Sequence, residues 1–354
     1  MRRLGLLALL LLACRSATLQ PASSSSSGEP EADAEVVADA SVGLDGALPD
    51  GGTPITPPST GVRVVVEPTD NAGALLAAIR GAKTSVHVIM YLFTNDTFLN
   101  ALVAQKNAGR EVKVILNQNY PFPSDSNDAA YNQLKSAGVD VVWAPPGFTY
   151  SHAKGVLIDG KEAWIMTMNL TRTSPLDNRE YLVVDSQPSD VAEAEAVFSA
   201  DFGGQAFSLA NRLVVSPLNA RARLLALVRG ARTTIDISAQ ALSDTELVTA
   251  LIDQQKAGVT VRAVVEGASA TQPSMSAALG RLKRGNVVVK SMNGLDSHAK
   301  AVVVDGATAY VGSINFTKTS MDENRELGVI FSEPASVGTV KTTIASDFAG
   351  GTAL

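Results

Sequence analysis

The strongest constraint in this sequence is an internal repeat. The tetrapeptide Ser151–Lys154 (S-H-A-K) returns as Ser297–Lys300, and the tripeptide Asn178–Glu180 (N-R-E) returns as Asn324–Glu326. Both are displaced by 146 positions (151 to 297, 178 to 324). Because self-similarity at a fixed period is the signature of a duplicated structural unit, we expect the folded part of the chain to be two copies of one unit.

Each copy alternates short apolar runs with segments of helical spacing. In the first copy the expected strands include Val86 to Leu92 and Val112 to Leu116, and the expected helices include Leu75 to Ala82 and Phe98 to Lys106. Strands that alternate with helices are typical of an α/β fold in which helices cover the faces of a sheet. We expect the copies to span residues 62–209 and 210–354.

The amino-terminal 61 residues differ from the rest in composition. A basic pair (R-R) precedes ten apolar residues, fewer than the roughly 20 that span a bilayer, and the pattern matches a secretory signal peptide. The run ends in L-L-A followed by Cys14, which resembles a bacterial lipobox. We expect a signal peptide at 1–13, a lipidated Cys14 with a disordered tether at 14–61, and export to the cell envelope with a lipid anchor in a bacterial membrane.

Cysteine, histidine and charge counts exclude several classes of site. With one cysteine and three histidines, the chain has no disulfide framework and no multi-cysteine metal site. The net charge of -6 comes mostly from the tether, because residues 62–354 carry 26 Lys and Arg against 28 Asp and Glu, a net of -2. A nearly neutral folded part lacks the basic surplus expected of a protein that follows a nucleic-acid backbone.

Each copy offers the same four polar side chains at the same spacing. In copy one they are His152, Lys154, Asn169 and Glu180. The second copy offers His298, Lys300, Asn315 and Glu326 at matching positions. If each histidine and lysine, two residues apart, lie on one strand, they point to the same face, so a two-fold related pair of copies brings two of each group together.

The pattern resembles the HxK(x4)D(x6)GSxN motif of the phospholipase D superfamily. Copy two matches every position from His298 to Asn315, whereas copy one has Met166-Thr167 in place of Gly-Ser. The resemblance implies two tandem α/β repeats packed about a pseudo-two-fold axis, with the active site at their interface. It also implies a metal-free and cofactor-free reaction through a covalent phosphohistidine, with a monomer as the active form.

The resemblance assigns a role to each residue of the two sets. One histidine attacks phosphorus and the other protonates the leaving alcohol, while Glu180 and Glu326 orient the imidazoles. Phosphate oxygens are held by the lysines, the asparagines and two hydroxyl groups; these are Lys154, Lys300, Asn169, Asn315, Thr167 and Ser313. We expect the motif aspartates, Asp159 and Asp305, to form Asp-Gly hairpin turns, and His87 to be a satisfied core or edge histidine.

Three loops are candidates for shaping the substrate side of the site, since loops after strand ends usually carry specificity. They run from Asn117 to Asp128, from Ala144 to Tyr150 and from Glu266 to Met275. Their aromatic residues, Tyr120, Phe122, Phe148 and Tyr150, can form an apolar rim for acyl chains or stack on nucleobases.

The motif specifies a phosphodiester substrate and leaves its identity open. We favour phospholipid hydrolysis at a membrane surface, because the expected anchor holds the protein against lipid and the folded part is nearly neutral. A nuclease acting on nucleic acid and a cardiolipin-synthase-like phosphatidyltransferase remain alternatives. A fourth possible function is that of a non-catalytic anchored binding protein, in which Met166-Thr167 marks the decay of one half-site.

Overall fold

A computed structural model describes residues 58–121, 125–205 and 207–354. The predicted signal peptide, Cys14 and the tether as far as residue 57 lie outside the described residues, as does Phe122. In the described part of the chain, no helix combines the length and the apolar character needed to cross a bilayer.

The first repeat forms seven strands and five helices of its described residues. In chain order they are β1 (Val62–Glu67), α1 (Gly73–Gly81), β2 (Ser85–Met90), α2 (Asp96–Asn107), β3 (Glu111–Leu116), α3 (Asp128–Ser136), β4 (Asp140–Trp143), β5 (Lys154–Ile158), β6 (Glu162–Met166), α4 (Ser174–Asp177), β7 (Asn178–Asp185) and α5 (Pro188–Gly203).

The second repeat follows the same order, with short additions. Its elements are β8 (Val214–Ser216), α6 (Ala220–Arg229), β9 (Thr234–Ala239), α7 (Thr245–Lys256), β10 (Thr260–Val265), α8 (Gly267–Ala270), α9 (Pro273–Arg284), β11 (Val288–Ser291), β12 (Asp296–Ser297), β13 (Lys300–Val304), β14 (Thr308–Gly312), α10 (Lys318–Asp322), β15 (Glu326–Phe331), α11 (Pro334–Gly350) and β16 (Thr352–Ala353).

Each repeat builds one mixed sheet, and the two sheets have equivalent strand orders. The first runs β1-β7-β6-β5-β2-β3-β4 from one edge to the other. The second, read from the equivalent edge, runs β8-β15-β14-β13-β9-β10-β11 and has one further strand, β16, at its far edge. The crossover strands β2, β3 and β4 pair in parallel, as do β9, β10 and β11, while the hairpin strands pair antiparallel. The predicted α/β fold of two tandem repeats is confirmed.

The Asp-Gly pairs form the predicted hairpin turns. Asp159 and Gly160 join β5 to β6 with φ values of 57° and 61°, and Asp305 and Gly306 join β13 to β14 with φ values of 54° and 63°. Positive φ at both central residues matches the right-handed twist of the flanking strands and favours Asp-Gly over most other pairs.

Three apolar cores explain how the repeats pack. One core lies between the first sheet and helices α1 to α3, and another lies between the second sheet and helices α6, α7 and α9. The central core takes side chains from both sheets and from α5 and α11, including Leu157, Val183, Val303 and Val329. Alternate residues of β5 therefore face different cores: Leu157 points to the partner repeat and Val156 away from it.

Candidate active site

Each histidine of the repeated motif contacts the glutamate of the other repeat. His152 Nδ1 lies 2.8 Å and 3.0 Å from the two carboxylate oxygens of Glu326. His298 Nδ1 lies 2.8 Å from Glu180 Oε1, at the distance of an ion pair but without the alignment of a hydrogen bond. The imidazoles are 12% and 13% exposed and both glutamates are fully buried, so only the histidines reach the substrate side.

Backbone pairing between the repeats produces this exchange. The carbonyl of Arg325 accepts hydrogen bonds from the N–H groups of His152 and Ala153, at 2.8 Å and 3.0 Å, and the Arg325 N–H donates to Tyr150. In the other half, β12 pairs in parallel with the start of β7, which aligns Ser297 with Arg179. The strand that carries each glutamate therefore begins beside the segment that carries the opposite histidine.

Neighbouring polar side chains orient both glutamates. Glu180 accepts hydrogen bonds from the hydroxyl of Thr167 and, at 3.2 Å, from Asn178 Nδ2. Glu326 accepts one at 3.0 Å from Asn324 Nδ2, and the nearby Ser313 hydroxyl contributes to lowering the pKa of this carboxyl. The structure thus directs the Thr167 hydroxyl at Glu180, whereas the Ser313 hydroxyl exchanges hydrogen bonds with the backbone of Leu327, next to Glu326. Both side chains are fully buried.

Two arginine–aspartate pairs, one buried and the other partly buried, join the repeats at the residues that precede these glutamates. Arg325 contacts Asp201 through Nε and Nη2, at 2.8 Å and 3.0 Å. Arg179 contacts Asp347 in the same bidentate way, at 2.8 Å and 3.0 Å. Because each arginine directly precedes the glutamate in the chain, each pair fixes the strand end that presents the carboxylate.

The two motif lysines lie at the floor of the site with no exposed surface. Lys154 Nζ donates to the carbonyl of His152 at 2.6 Å and sits 4.9 Å from the ring centroid of Tyr91. Lys300 Nζ donates to the carbonyl of His298 at 2.6 Å and to Gln240 Oε1 at 2.9 Å. Each ammonium group has at least one further donor available for an anionic substrate.

Burial controls the protonation of the site. Burial lowers the pKa of His152 to about 4 against the attraction of Glu326, and it lowers the pKa of His298 as well. Burial also lowers the pKa of Lys300 to about 8, and that of Lys154 well below its usual range. A lowered pKa favours the neutral imidazole, in which the one unprotonated ring nitrogen carries a free pair of electrons that can act as a nucleophile or base.

The motif asparagines leave a polar atom without a partner in each half-site. Asn169 Oδ1 and Asn315 Oδ1 are buried and have no hydrogen-bond partner among the described residues. Buried polar atoms are nearly always paired in folded proteins. The same unpaired acceptor occurs at the same position of both repeats, so each asparagine oxygen is free to accept one further hydrogen bond.

The motif aspartates lie outside this cluster. Asp159 accepts hydrogen bonds from the N–H groups of Lys83, Thr84 and Ser85 at 2.7 to 3.0 Å. Asp305 accepts the matching set from Arg232, Thr233 and Thr234. Burial opposes ionisation, but together these donors lower the pKa of each carboxyl to about 2, as expected for turn residues that hold the preceding loop.

The departure of copy one from Gly-Ser has a packing explanation. A Cβ on Gly312 would lie 2.4 Å from Gly328 Cα and 2.7 Å from the hydroxyl of Tyr310, so the glycine pair makes room for that ring. In copy one, Met166 pairs with Leu182, and both pack with Trp164 in the outer core. Met166 therefore faces away from the site and leaves Thr167 in place beside Glu180.

A comparison with protein-family models decides the family. A model described as "Cardiolipin synthase, PLD-like domain" matches residues 75–202 and residues 224–348, which together take up most of the chain. The chain belongs to the PLD-like family. Each match covers one repeat, so the two PLD-like units of the sequence correspond to the two sheets.

Curated relatives of this PLD-like chain differ in their names and lengths. Polyphosphate kinase from Vibrio cholerae is 24% identical over 262 residues, which cover 69% of this chain and 37% of that protein. Mitochondrial cardiolipin hydrolase from Danio rerio is 30% identical over 124 residues, which cover 35% of this chain and 53% of that protein. The chain spans little more than a third of the length of the polyphosphate kinases it matches.

Solved structures share the PLD-like fold at low sequence identity. Phosphatidylserine synthase from Haemophilus influenzae Rd KW20 aligns with a TM-score of 0.65 and 12% identity, over 84% of this chain and 88% of that one. Polyphosphate kinase from Porphyromonas gingivalis aligns with a TM-score of 0.64 and 16% identity, over 80% of this chain and 46% of that one. These likenesses show the common architecture.

Two residues of this PLD-like site were not singled out by the motif. Asn117 Oδ1 accepts a hydrogen bond at 2.9 Å from the N–H of Ser151, and the carboxylate of Glu266 accepts one from the N–H of Ser297. Both residues directly follow the third strand of their repeat, β3 or β10, and each holds the segment that leads to a histidine. Asn117 and Glu266 occupy equivalent positions in the two repeats, and this equivalence was the sequence signal that could have identified them.

His87 was predicted to be a histidine whose ring nitrogens have partners within the fold, and both nitrogens do contact other side chains. Its Nδ1 lies 2.8 Å from Glu195, its Nε2 lies 2.8 Å from Glu111, and its ring stacks on Phe198. Burial opposes protonation, yet the two glutamates raise the pKa of His87. Of the aromatic rim, Phe148 stacks on the Arg325 guanidinium at 4.4 Å.

Proposed function

We propose that this protein hydrolyses the phosphodiester bond of phospholipids in the manner of a phospholipase D, through a covalent histidine intermediate and without a metal ion. One imidazole Nε2 attacks phosphorus, and the P–O bond to the head-group alcohol breaks as the other histidine, whose protonated form is favoured by the bound phosphate anion, gives its proton to the departing oxygen. The second histidine then removes a proton from water as the water oxygen forms a bond to phosphorus, the P–N bond breaks, and phosphatidic acid leaves.

One observation carries this proposal: two histidine–glutamate pairs, each formed across the interface between the repeats. The carboxylate holds the proton on Nδ1 and stabilises the imidazolium that forms when Nε2 takes a proton. Lys154 and Lys300 offset the negative charge that develops on the phosphoryl oxygens, and Asn169 and Asn315 add amide donors. In this assignment Thr167 and Ser313 act on the glutamates and position them.

The choice of phospholipid rests on charge and on the names of relatives. The nearly neutral sum of residues 62–354 disfavours a long nucleic acid as substrate. The relative from Danio rerio is named a cardiolipin hydrolase. A second candidate is phosphatidyl transfer, in which an alcohol replaces water in the second step, because the matched family model is described as cardiolipin synthase.

A side-by-side assay tests the proposal. The purified chain is incubated with vesicles of phosphatidylcholine, phosphatidylglycerol or cardiolipin, and separately with single-stranded DNA, each with excess chelator. We expect phosphatidic acid from at least one lipid, no product with His298→Ala, and no cut DNA. Cleavage of DNA alone would make the protein a nuclease, and transfer to added glycerol in preference to water would support the second candidate.

For location, we propose that Cys14 is lipidated and holds the catalytic part on a bacterial membrane in the cell envelope. The R-R pair, the apolar run and the position of the single cysteine support this proposal. The protein would act as a monomer, because one chain supplies both half-sites. Cys14→Ala should move the protein from the membrane fraction to the soluble fraction while hydrolysis by the purified protein persists.

A further inference from the structure

The two halves of the site differ in the side chain beside each histidine. The ring of Tyr91 lies 4.5 Å from that of His152, centroid to centroid, at an interplanar angle of 65°. Tyr91 follows Met90, which pairs with Lys154, and Gln240 follows Ala239, which pairs with Lys300. An aromatic ring in one half therefore stands where the other half has an amide.

Two more tyrosines extend this difference on the His152 side. Tyr120 and Tyr150 lie 5.2 Å and 6.1 Å from Tyr91 between ring centroids, and all three rings are half-buried. The Tyr120 hydroxyl donates to the carbonyl of Tyr91 at 2.6 Å, which fixes the group. We call these three residues the tyrosine wall.

The corresponding positions in the other half are polar. Tyr150 precedes Ser151 and His152, whereas the exposed Asp296 precedes Ser297 and His298. The site thus has an aromatic side and a polar side about a symmetric catalytic centre. Such a site discriminates between the two alcohols of a phosphodiester, because apolar groups are stabilised by burial against aromatic rings and polar groups by hydrogen bonds.

We propose that the tyrosine wall is a binding subsite for the acyl-bearing glycerol part of a phospholipid, the part that stays on phosphorus after the head group leaves. Because the wall would select the substrate of the proposed phospholipase, this inference rests on that proposed function. The polar side, with Gln240 and Asp296, then receives the departing head-group alcohol. This arrangement would give the substrate one productive orientation in an otherwise two-fold site.

The ring geometry favours acyl chains over nucleobases. Tyr91 is tilted by 56° from Tyr120 and by 78° from Tyr150. A base held between two rings needs parallel faces separated by its own thickness, and neither Tyr120 nor Tyr150 lies parallel to Tyr91. Tilted rings in mutual contact instead present a continuous apolar surface along which a flexible chain can lie.

Calorimetric binding tests the subsite without turnover. The probes are dihexanoyl phosphatidic acid at monomeric concentration and glycerol 3-phosphate, which lacks the acyl chains. We expect the wild-type protein to bind the diacyl probe at least about tenfold more tightly, since two buried short chains are worth that much or more. Tyr150→Asp and Tyr91→Gln, which install the residues of the other half, should each reduce this preference to about threefold or less.

Asp296→Asn is the matched control, at the position of Tyr150 in the other repeat, and should keep the acyl preference. Equal binding of both probes by the wild type, or a preference that survives both tyrosine variants, would overturn the inference. A wall-dependent preference in a protein that hydrolyses no phospholipid would leave the subsite in place and remove the proposed hydrolysis. Hydrolysis of a phospholipid by a protein with no acyl preference would remove the subsite and leave the proposed hydrolysis in place.

Discussion

Glu326 follows His152 by 174 residues, yet its carboxylate lies 2.8 Å from the imidazole Nδ1 of that histidine. The matching contact joins Glu180 to His298 at the same distance. Neither repeat contains a complete histidine–glutamate pair by itself. The duplication is therefore part of the site's chemistry, since each copy supplies the residue that orients the histidine of the other.

Glu326→Gln should lower kcat by a factor of about 10² to 10⁴, because the neutral amide cannot stabilise an imidazolium. Glu246→Gln on α7, outside the site, is the control. Nitrogen NMR of the imidazoles gives a second readout, and three histidines in the chain make it simple to assign. The variant should shift the Nδ1 signal of His152; a change confined to His298 would contradict the exchange between repeats.

The pH dependence of kcat/KM should reflect two buried groups. The pKa of His152 is lowered to about 4, so a reaction in which this ring is the nucleophile loses rate as the pH falls through that value and the ring is protonated. The pKa of Lys300 is lowered to about 8, so its positive charge is lost as the pH rises through that value. We expect a plateau between these limits.

Lys300→Arg separates the lysine from the other groups on the alkaline side. A guanidinium stays protonated throughout this range, so the alkaline limb should move to higher pH even if the maximal rate falls. Lys318→Arg, an exposed lysine paired with Glu323, is the control and should leave the limb where it is. An unmoved limb in Lys300→Arg would assign the alkaline titration to another group.

Asp201→Asn should reduce the free energy of unfolding by about 3 kcal/mol or more, because it leaves the buried guanidinium of Arg325 without its charge partner. Urea denaturation measures the change. Asp96→Asn is the control, since that exposed pair with Arg172 should contribute less than about 1 kcal/mol. Equal effects of both variants would contradict a structural role for the buried pair.

Asp305→Ala should destabilise the fold by about 1 to 3 kcal/mol while the rate at saturating substrate stays within about twofold. The loss combines unpaired backbone donors with a positive φ that alanine disfavours; Asp305→Asn keeps the turn and should lose less.

The carboxyl of Asp305 has a pKa of about 2 when folded and about 4 when unfolded. Its stabilisation is therefore complete above pH 4 and is lost as the pH falls through 2; a large loss of rate in a folded Asp305→Ala would contradict the turn assignment.

The α/β fold and the identity of the residues in the two repeated motif sets could be predicted from the sequence, because both depend on local patterns. Alternating strands and helices predicted the α/β repeats, and the Asp-Gly pairs predicted turns whose backbone they require. Repetition of His152, Lys154 and Glu180 in the second copy indicated one shared site.

The partners of those residues could not be read from the sequence, because they depend on how two sheets pack. Spacing alone gave no means of choosing between the two glutamates for each histidine, and the choice follows from the pairing of Arg325 with the segment before His152. The orienting role of Thr167 and the outward position of Met166 likewise depend on which core each strand face meets.

The central claim is a covalent histidine intermediate at a site shared by the repeats. Its most direct test is rapid acid-free quenching with a short-chain phosphatidylcholine in excess chelator, followed by mass spectrometry of the histidine peptides. The account predicts a phosphatidyl adduct on His152 or His298 that disappears when that histidine is changed to Ala. An adduct on His87, or full turnover with no histidine adduct at any time, would contradict it.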